Sequence, residues 1–125
     1  MHFDLTDKII ESAIQVHNIL GPGMLEAAYE ECLAFELRKL NLMIERQKPI
    51  PVRYKDIKLE CGYRVDIIVE NKVIVELKSV ESLCNVHRAQ ILTYMKFAQL
   101  NVGLLINFNV ALLKNGIKRF ILSRV

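Results

Sequence analysis

Residues 62–78 read GYRVDIIVENKVIVELK, and they carry the strongest structural pattern in the chain. Two runs rich in β-branched residues, 65–69 and 73–77, flank the polar break 70–72, a pattern typical of a β-hairpin. A three-residue loop places Asp66 opposite Glu76 and gathers six apolar side chains on one face. These six are Val65, Ile67, Val69, Val73, Val75 and Leu77. A shift of one residue would bury charge, so we expect the first register, with Asn71 taking the left-handed conformation in the loop.

The same register makes Asp66 and Glu76 neighbours, with Lys78 two residues further along and on the same face. Opposed side chains in an antiparallel pair have Cβ atoms about 4.5–5.5 Å apart, so two carboxylates there repel each other. A divalent cation offsets that repulsion, and Mg²⁺ binds through one or two carboxylates while keeping waters for a phosphate. A lysine beside the cation holds an attacking water or a developing negative charge. An ion-pair network on a wet sheet face, including Arg64, is the alternative interpretation.

The composition indicates one globular domain covering residues 1–125. The chain is 52% hydrophobic and 25% charged, and its net charge of +3 permits a nucleic-acid partner without arguing for one. The wide spacing of Cys32, Cys61 and Cys84 favours buried thiols over a disulfide frame or a zinc site. The N-terminal sequence is unlike a signal peptide and no apolar run is long enough to span a membrane, so we expect a cytoplasmic protein.

Three stretches have the spacing of amphipathic helices: residues 5–20, 24–41 and 84–100. On the second, Glu26 and Tyr29 share a face near the N-terminal end, where a glutamate also complements the helix dipole without any further role. On the third, His87, Gln90 and Tyr94 share one face. Each of these three also has a plain interpretation, as an exposed or half-buried helix side chain.

The remaining segments predict further strands. Residues 43–61 are typical of an antiparallel hairpin that turns at Lys55-Asp56, with prolines at 49 and 51 marking an edge strand. Residues 102–108 predict a short buried strand, and residues 117–122 predict a last strand after a turn at 114–116.

Four motifs follow one another along the chain. They are Gly23-Met24-Leu25-Glu26-Ala27-Ala28-Tyr29, Gly62-Tyr63-Arg64-Val65-Asp66, Val73-Ile74-Val75-Glu76-Leu77-Lys78 and His87-x-x-Gln90-x-x-x-Tyr94. In this combination the chain, from about residue 5 to 122, resembles the GxxExxY family of the PD-(D/E)XK nuclease superfamily. Its last motif also resembles the helix motif of RecB-like nucleases. The resemblance implies an α/β (α+β) fold with a restriction-endonuclease-like core, in which a mixed central β-sheet is flanked by helices.

The resemblance also implies roles for the charged positions. Asp66 and Glu76 would bind the metal ion, with the backbone carbonyl of Leu77 as a third ligand. Lys78 would orient or activate the attacking water, and Glu26 would support the metal ion or its water. One departure is that Val65, rather than a proline, precedes the first acid; this change removes no ligand.

A second group of residues would bind substrate or brace the site. Gln90 and Tyr94 are the main candidates on the third predicted helix, and His87 is a weaker one. Tyr29 of the GxxExxY motif and Arg64 beside the first acid complete the group.

The function implied is Mg²⁺-dependent hydrolysis of phosphodiester bonds, with Mn²⁺ as a possible substitute and DNA favoured over RNA as the substrate. The alternative is a catalytically silent module that binds nucleic acid or protein, or a subunit of a larger complex, because a fold does not fix a function. A chain of this length offers little surface for DNA, since specific interfaces bury about 1,000–2,500 Å². A homodimer or a protein partner would supply the missing surface, and no membrane association is expected.

Overall fold

The computed structural model describes residues 2–60 and 62–123 of the chain. Two helices come first, five strands follow, and a third helix precedes the last two strands, so that three helices lie around one main sheet. In chain order they are α1 (Phe3–Leu20), α2 (Glu26–Lys39), β1 (Ile44–Pro49), β2 (Val52–Tyr54), β3 (Ile57–Leu59), β4 (Arg64–Val69), β5 (Val73–Lys78), α3 (Asn85–Ala98), β6 (Val102–Asn107) and β7 (Ile117–Ile121). A short 3₁₀ turn, Leu113–Gly116, precedes β7.

The main sheet has five strands in the order β1-β4-β5-β6-β7, and β2 and β3 form a separate two-stranded hairpin. Only the β5–β6 pair is parallel among the described strands, since α3 crosses over between these two strands. The other neighbouring pairs are antiparallel. The predicted α/β fold with a mixed central sheet is therefore confirmed.

The hairpin of β4 and β5 has the register that the sequence predicts. Ile67 pairs with Val75 and Val69 pairs with Val73, which leaves a three-residue loop. The Lys72 N–H donates to the Val69 carbonyl at 3.0 Å. The two residues between them, Glu70 and Asn71, have φ values of 53° and 51°. Asn71 is left-handed as expected, and Glu70 takes the same conformation without a glycine.

Helices cover both faces of the sheet, so β4 and β5 are apolar on both sides. α1 and α2 pack on one face, over side chains that include Ile67, Val75 and Leu104. α3 packs on the other face, over Ile68 and Ile74. Within the two described ranges of the chain, no helix is both long and apolar enough to cross a lipid bilayer.

The predicted apolar face of the hairpin is correct for five of its six residues and wrong for Val65. The five pack with α1 and α2, whereas Val65 joins Ile50 and Ile68 in the cluster beneath α3. Regular pairing between β4 and β5 extends only as far as Ile67. Beyond this point the alternation of the hairpin no longer determines which layer a side chain enters.

The predicted hairpin over residues 43–61 is partly wrong. β2 and β3 do turn at Lys55-Asp56, with Tyr54 opposite Ile57. Residues 44–49, however, pair with β4 as β1, the edge strand of the main sheet. This pairing covers the full length of β4, whereas the β2–β3 hairpin is only three residues long on each side. Cys61, at the end of the predicted hairpin, lies outside the described residues.

The prediction of buried thiols is also wrong for Cys84. Cys84 is exposed because it lies at the N-cap of α3. Cys32, on α2, is half-buried. Both are free thiols. Cys61 is outside the part of the chain that the structure describes.

Replacing Gly116 with alanine should destabilise the fold. A Cβ at Gly116 would overlap the backbone carbonyl oxygen of Asn107, which cannot move without distorting β6. We expect Gly116→Ala to lower the free energy of unfolding by about 1–3 kcal/mol. Gly103→Ala is the matched control, since its Cβ meets only the flexible ends of Met95 and Ile91 and should cost less. Urea denaturation measures both costs, and an equal cost for the two variants would contradict the expectation.

Candidate active site

β4 and β5 separate at Asp66 and Glu76, and the two carboxylates bridge the gap. Glu76 Oε2 accepts the Asp66 N–H at 2.7 Å, and Asp66 Oδ2 accepts the Leu77 N–H at 2.8 Å. The last regular pair before this point is Ile67 with Val75. Each carboxylate thus takes the place that a backbone carbonyl occupies in an unbroken ladder. These bonds hold the two side chains in opposed positions, as the predicted register requires.

Burial disfavours the doubly ionised state of this carboxylate pair. Glu76 is only 4% exposed, and burial together with the negative charge of Asp66 raises its pKa from 4.5 to about 8. Burial also raises the pKa of Asp66, although hydrogen bonds from the Leu77 N–H and the Gln47 amide oppose the change. At neutral pH the pair therefore retains a proton unless a cation compensates the second charge.

Lys78 lies at the end of β5, half-buried beside the carboxylates. Its positive charge favours the ionised forms of both Asp66 and Glu76, which lowers their pKa values against the effect of burial. The ammonium group donates to Gln90 Oε1 at 3.2 Å, and Gln90 Nε2 donates to the Tyr94 hydroxyl at 3.1 Å. α3 thus presents Gln90 and Tyr94 to the site, as helical spacing predicts.

Tyr29 lies in the core rather than at a surface that a substrate can reach. It is fully buried, and its ring stacks on Phe108 with a centroid separation of 4.2 Å. Its hydroxyl donates to the Gly21 carbonyl at 2.6 Å and accepts the Met24 N–H at 3.1 Å. This arrangement fixes the turn between α1 and α2, so Tyr29 braces the position from which Glu26 extends.

Glu26 is exposed at the start of α2 and is bonded to the segment that follows Lys78. Its Oε2 accepts the Ser79 N–H at 3.2 Å, and the Ser79 hydroxyl donates to the Met24 carbonyl at 2.8 Å. Its negative charge also contributes to the raised pKa of Glu76. Glu26 therefore lies close enough to influence the carboxylate pair while holding the connector after β5.

The structure does not bring Arg64 and His87 into direct contact with the carboxylates. Arg64 is exposed, and its Nη1 donates to the backbone carbonyl of Gln47 at 3.2 Å. His87 Nδ1 accepts the Cys84 N–H at 3.1 Å, which caps the first turn of α3. Both side chains support neighbouring backbone in this structure.

The sequence did not predict a further group of polar contacts, which links Asp66 to β1 and α2. Gln47 Nε2 donates to Asp66 Oδ1 at 3.2 Å and to Glu30 Oε1 at 2.6 Å. Glu30 is 7% exposed and forms an ion pair with Arg46 at 2.9 Å. The register of β1 against β4 brings Gln47 beside Asp66. A correct prediction of this strand pairing would have indicated the contact. Because residues 43–61 were predicted to pair with one another, the contact between Gln47 and Asp66 was not predicted.

The carboxylate pair has the chemistry of a site for a hard divalent cation. Two close carboxylates with raised pKa values gain from a positive charge placed between them. Across residues 2–60 and 62–123, no three His, Cys, Asp or Glu side chains form a metal-ligand group. Asp66 and Glu76 provide two carboxylates, which suits a hard divalent cation that keeps several waters in its coordination sphere.

Comparison with known families agrees with this geometry. A family model described as the PD-(D/E)XK nuclease superfamily matches residues 3–120. Searches of curated proteins and of solved structures gave no match. Members of this superfamily are typically nucleases that use divalent metal ions. The match spans all the described helices and nearly all of the sheet, and this chain belongs to the PD-(D/E)XK nuclease superfamily.

Proposed function

We propose that this protein is a metal-dependent nuclease that hydrolyses phosphodiester bonds, with DNA favoured over RNA. The observation that carries the proposal is the Asp66–Glu76 pair bridging two separated strands, with Lys78 at the same strand end. We further propose that residues 1–125 act as a single nuclease-like domain of the GxxExxY branch. Mg²⁺ is the proposed cofactor, with Mn²⁺ as a substitute.

The proposed ligands are Asp66, Glu76 and the Leu77 carbonyl. A strand residue directs its N–H and C=O to the same side, and the Leu77 N–H points to Asp66. The Leu77 carbonyl therefore faces the gap between β4 and β5, which supports its proposed role. Glu26 has an auxiliary role in this proposal, through its contact with the Ser79 backbone and its charge. The metal ion, when bound, would stabilise the negative charge that develops on the phosphate oxygens.

The remaining chemistry belongs to side chains of this chain. The Lys78 amine holds the attacking water, and Gln90 fixes the direction of that amine through its hydrogen bond. Tyr94 in turn holds Gln90, so the two helix residues act as positioning groups. Water adds to phosphorus as the bond to the leaving oxygen breaks, which leaves one phosphate end and one hydroxyl end.

The test is cleavage of single-stranded, duplex and branched DNA and of RNA, with Mg²⁺ or Mn²⁺ and with EDTA. We expect metal-dependent cleavage that is lost in Glu76→Gln, which keeps the shape of the side chain but removes its charge. Glu11→Gln is the matched control, since Glu11 is an exposed acid on α1. This variant should cleave at the wild-type rate.

Two outcomes would overturn the proposal. Cleavage that persists in Glu76→Gln would exclude this carboxylate from the reaction. Metal binding without cleavage of any substrate would instead support the alternative, a silent binding module or a subunit that needs a partner.

A further inference from the structure

A cavity of about 290 Å³ lies between the β2–β3 hairpin and α3. Its walls are mainly apolar and aromatic: Val52, Leu59, Tyr63, Gln90, Thr93 and Tyr94. Small-molecule sites usually span about 300–1,000 Å³, so this cavity lies just below that range. It suits one planar ring system better than a large ligand.

The cavity adjoins the candidate active site through two shared side chains. Gln90 and Tyr94 line it, and Gln90 also accepts the hydrogen bond from Lys78 at 3.2 Å. The charges of Glu76 and Asp66 both contribute to raising the pKa of Tyr94, after the larger effect of burial. A group inside the cavity is therefore separated from the Lys78 amine by a single side chain.

Tyr63 gives the cavity an accessible aromatic surface. Its backbone is fixed, because its carbonyl accepts the Ile50 N–H at 2.8 Å and because the preceding Gly62 turns the chain with a φ of 81°. Its side chain is accessible to a ligand, since the residue is 46% exposed. Tyr94, on the opposite element, is only 6% exposed and forms part of the floor. An aromatic ring held in this manner offers a stacking face for a base.

The hairpin that forms one wall carries opposed positive charges. Arg53 on β2 pairs directly with Lys58 on β3, on the strand face opposite to that of Val52 and Leu59. Like charges at opposed positions destabilise a strand pair. Lys58 has an exposed ion pair with Glu60 at 3.5 Å, which offsets the repulsion only weakly. A polyanion such as a nucleic-acid backbone would compensate both cations.

We propose that this cavity binds one unpaired nucleobase of the substrate, next to the phosphate that is cut. The inference rests on the proposed nuclease function and names its substrate class: single-stranded or locally unpaired nucleic acid. A base within a continuous duplex is stacked and paired, and extruding it costs a few kcal/mol. The cavity therefore selects against intact duplex.

The first test removes the aromatic ring. We expect Tyr63→Ala to weaken binding of a fluorescently labelled single-stranded oligonucleotide by about 5- to 150-fold, the usual effect of losing one base-stacking contact. Tyr63→Phe keeps the ring and should bind as the wild type does. Tyr54→Ala is the matched control, because Tyr54 is a tyrosine of the same region, 59% exposed and outside the cavity lining. Anisotropy in EDTA measures affinity without cleavage.

The second test changes the substrate. A duplex with one unpaired nucleotide should be cut beside that nucleotide, whereas the continuous duplex and a duplex with an abasic residue at the same position should be cut at least about tenfold more slowly. Equal cleavage of all three would overturn the proposal. So would unchanged binding by Tyr63→Ala, an equal loss in Tyr54→Ala, or a full loss in Tyr63→Phe.

These measurements separate the cavity from the catalytic proposal. If the wild type cuts nothing with either metal while Tyr63→Ala alone loses single-strand binding, the base site stands and the nuclease function fails. If cleavage occurs without any preference for unpaired bases, the nuclease function stands and the base site fails.

Discussion

A Lys78→Ala variant should cleave nucleic acid at least about 100-fold more slowly than the wild type while still binding Mg²⁺ or Mn²⁺. Lys78 is the cation whose charge acts on both Asp66 and Glu76, and its amine is directed by Gln90 at 3.2 Å. Alanine removes the amine that we propose holds the attacking water but leaves both carboxylates in place. Single-turnover rates measure the loss, and a thermal shift with Mn²⁺ measures metal binding.

Lys72→Ala is the matched control for this variant. Lys72 is exposed in the loop at the opposite end of β5, so its replacement removes the same charge far from the carboxylates. It should cleave at the wild-type rate. Undiminished cleavage by Lys78→Ala would exclude the proposed role of the amine. Loss of both cleavage and metal binding would show that Lys78 instead maintains the shape of the site.

The metal-free protein should lose stability as the pH rises from about 4.5 to about 8. In the folded state the pKa of Glu76 is raised to about 8, so the native protein binds this proton more tightly than the unfolded chain does. The resulting stabilisation is complete below the unfolded pKa and disappears as the pH rises through the folded pKa. Its size is about 1.4 kcal/mol for each unit of difference, and the raised pKa of Asp66 acts in the same direction.

Addition of Mg²⁺ at pH 8 should restore stability, because we propose that the cation binds the ionised pair of the native state. Saturation to 100 times the dissociation constant contributes about 2.7 kcal/mol. Urea denaturation at pH 5 and pH 8, in EDTA and in Mg²⁺, measures both effects. Glu76→Gln cannot titrate at this position and should lose much of the pH dependence and the response to metal. The expectation fails if the wild type in EDTA is equally stable at both pH values.

Local sequence pattern was sufficient to predict the central hairpin and its register. The alternation of apolar residues around Asp66 and Glu76 is local, and a one-residue slip would have buried charge, so only one pairing was favourable. The spacing of Gln90 and Tyr94 likewise placed both on one face of α3, because helical periodicity is also a local property. The motifs were sufficient to identify the superfamily, whose model matches residues 3–120.

The choice of the strand that lies beside β4 and the burial of the carboxylates depend on packing between distant segments of the chain. The alternation of side chains along a strand shows which residues share a face, but it does not show which strand pairs with which. The contact of Gln47 with Asp66 was therefore not predicted. Val65 entered the other core layer because regular pairing stops at Ile67. The 4% exposure of Glu76, and with it the raised pKa, arises from packing between segments that are distant in sequence. Local pattern fixes faces and registers, whereas pairing, burial and electrostatics depend on contacts that form only in the assembled fold.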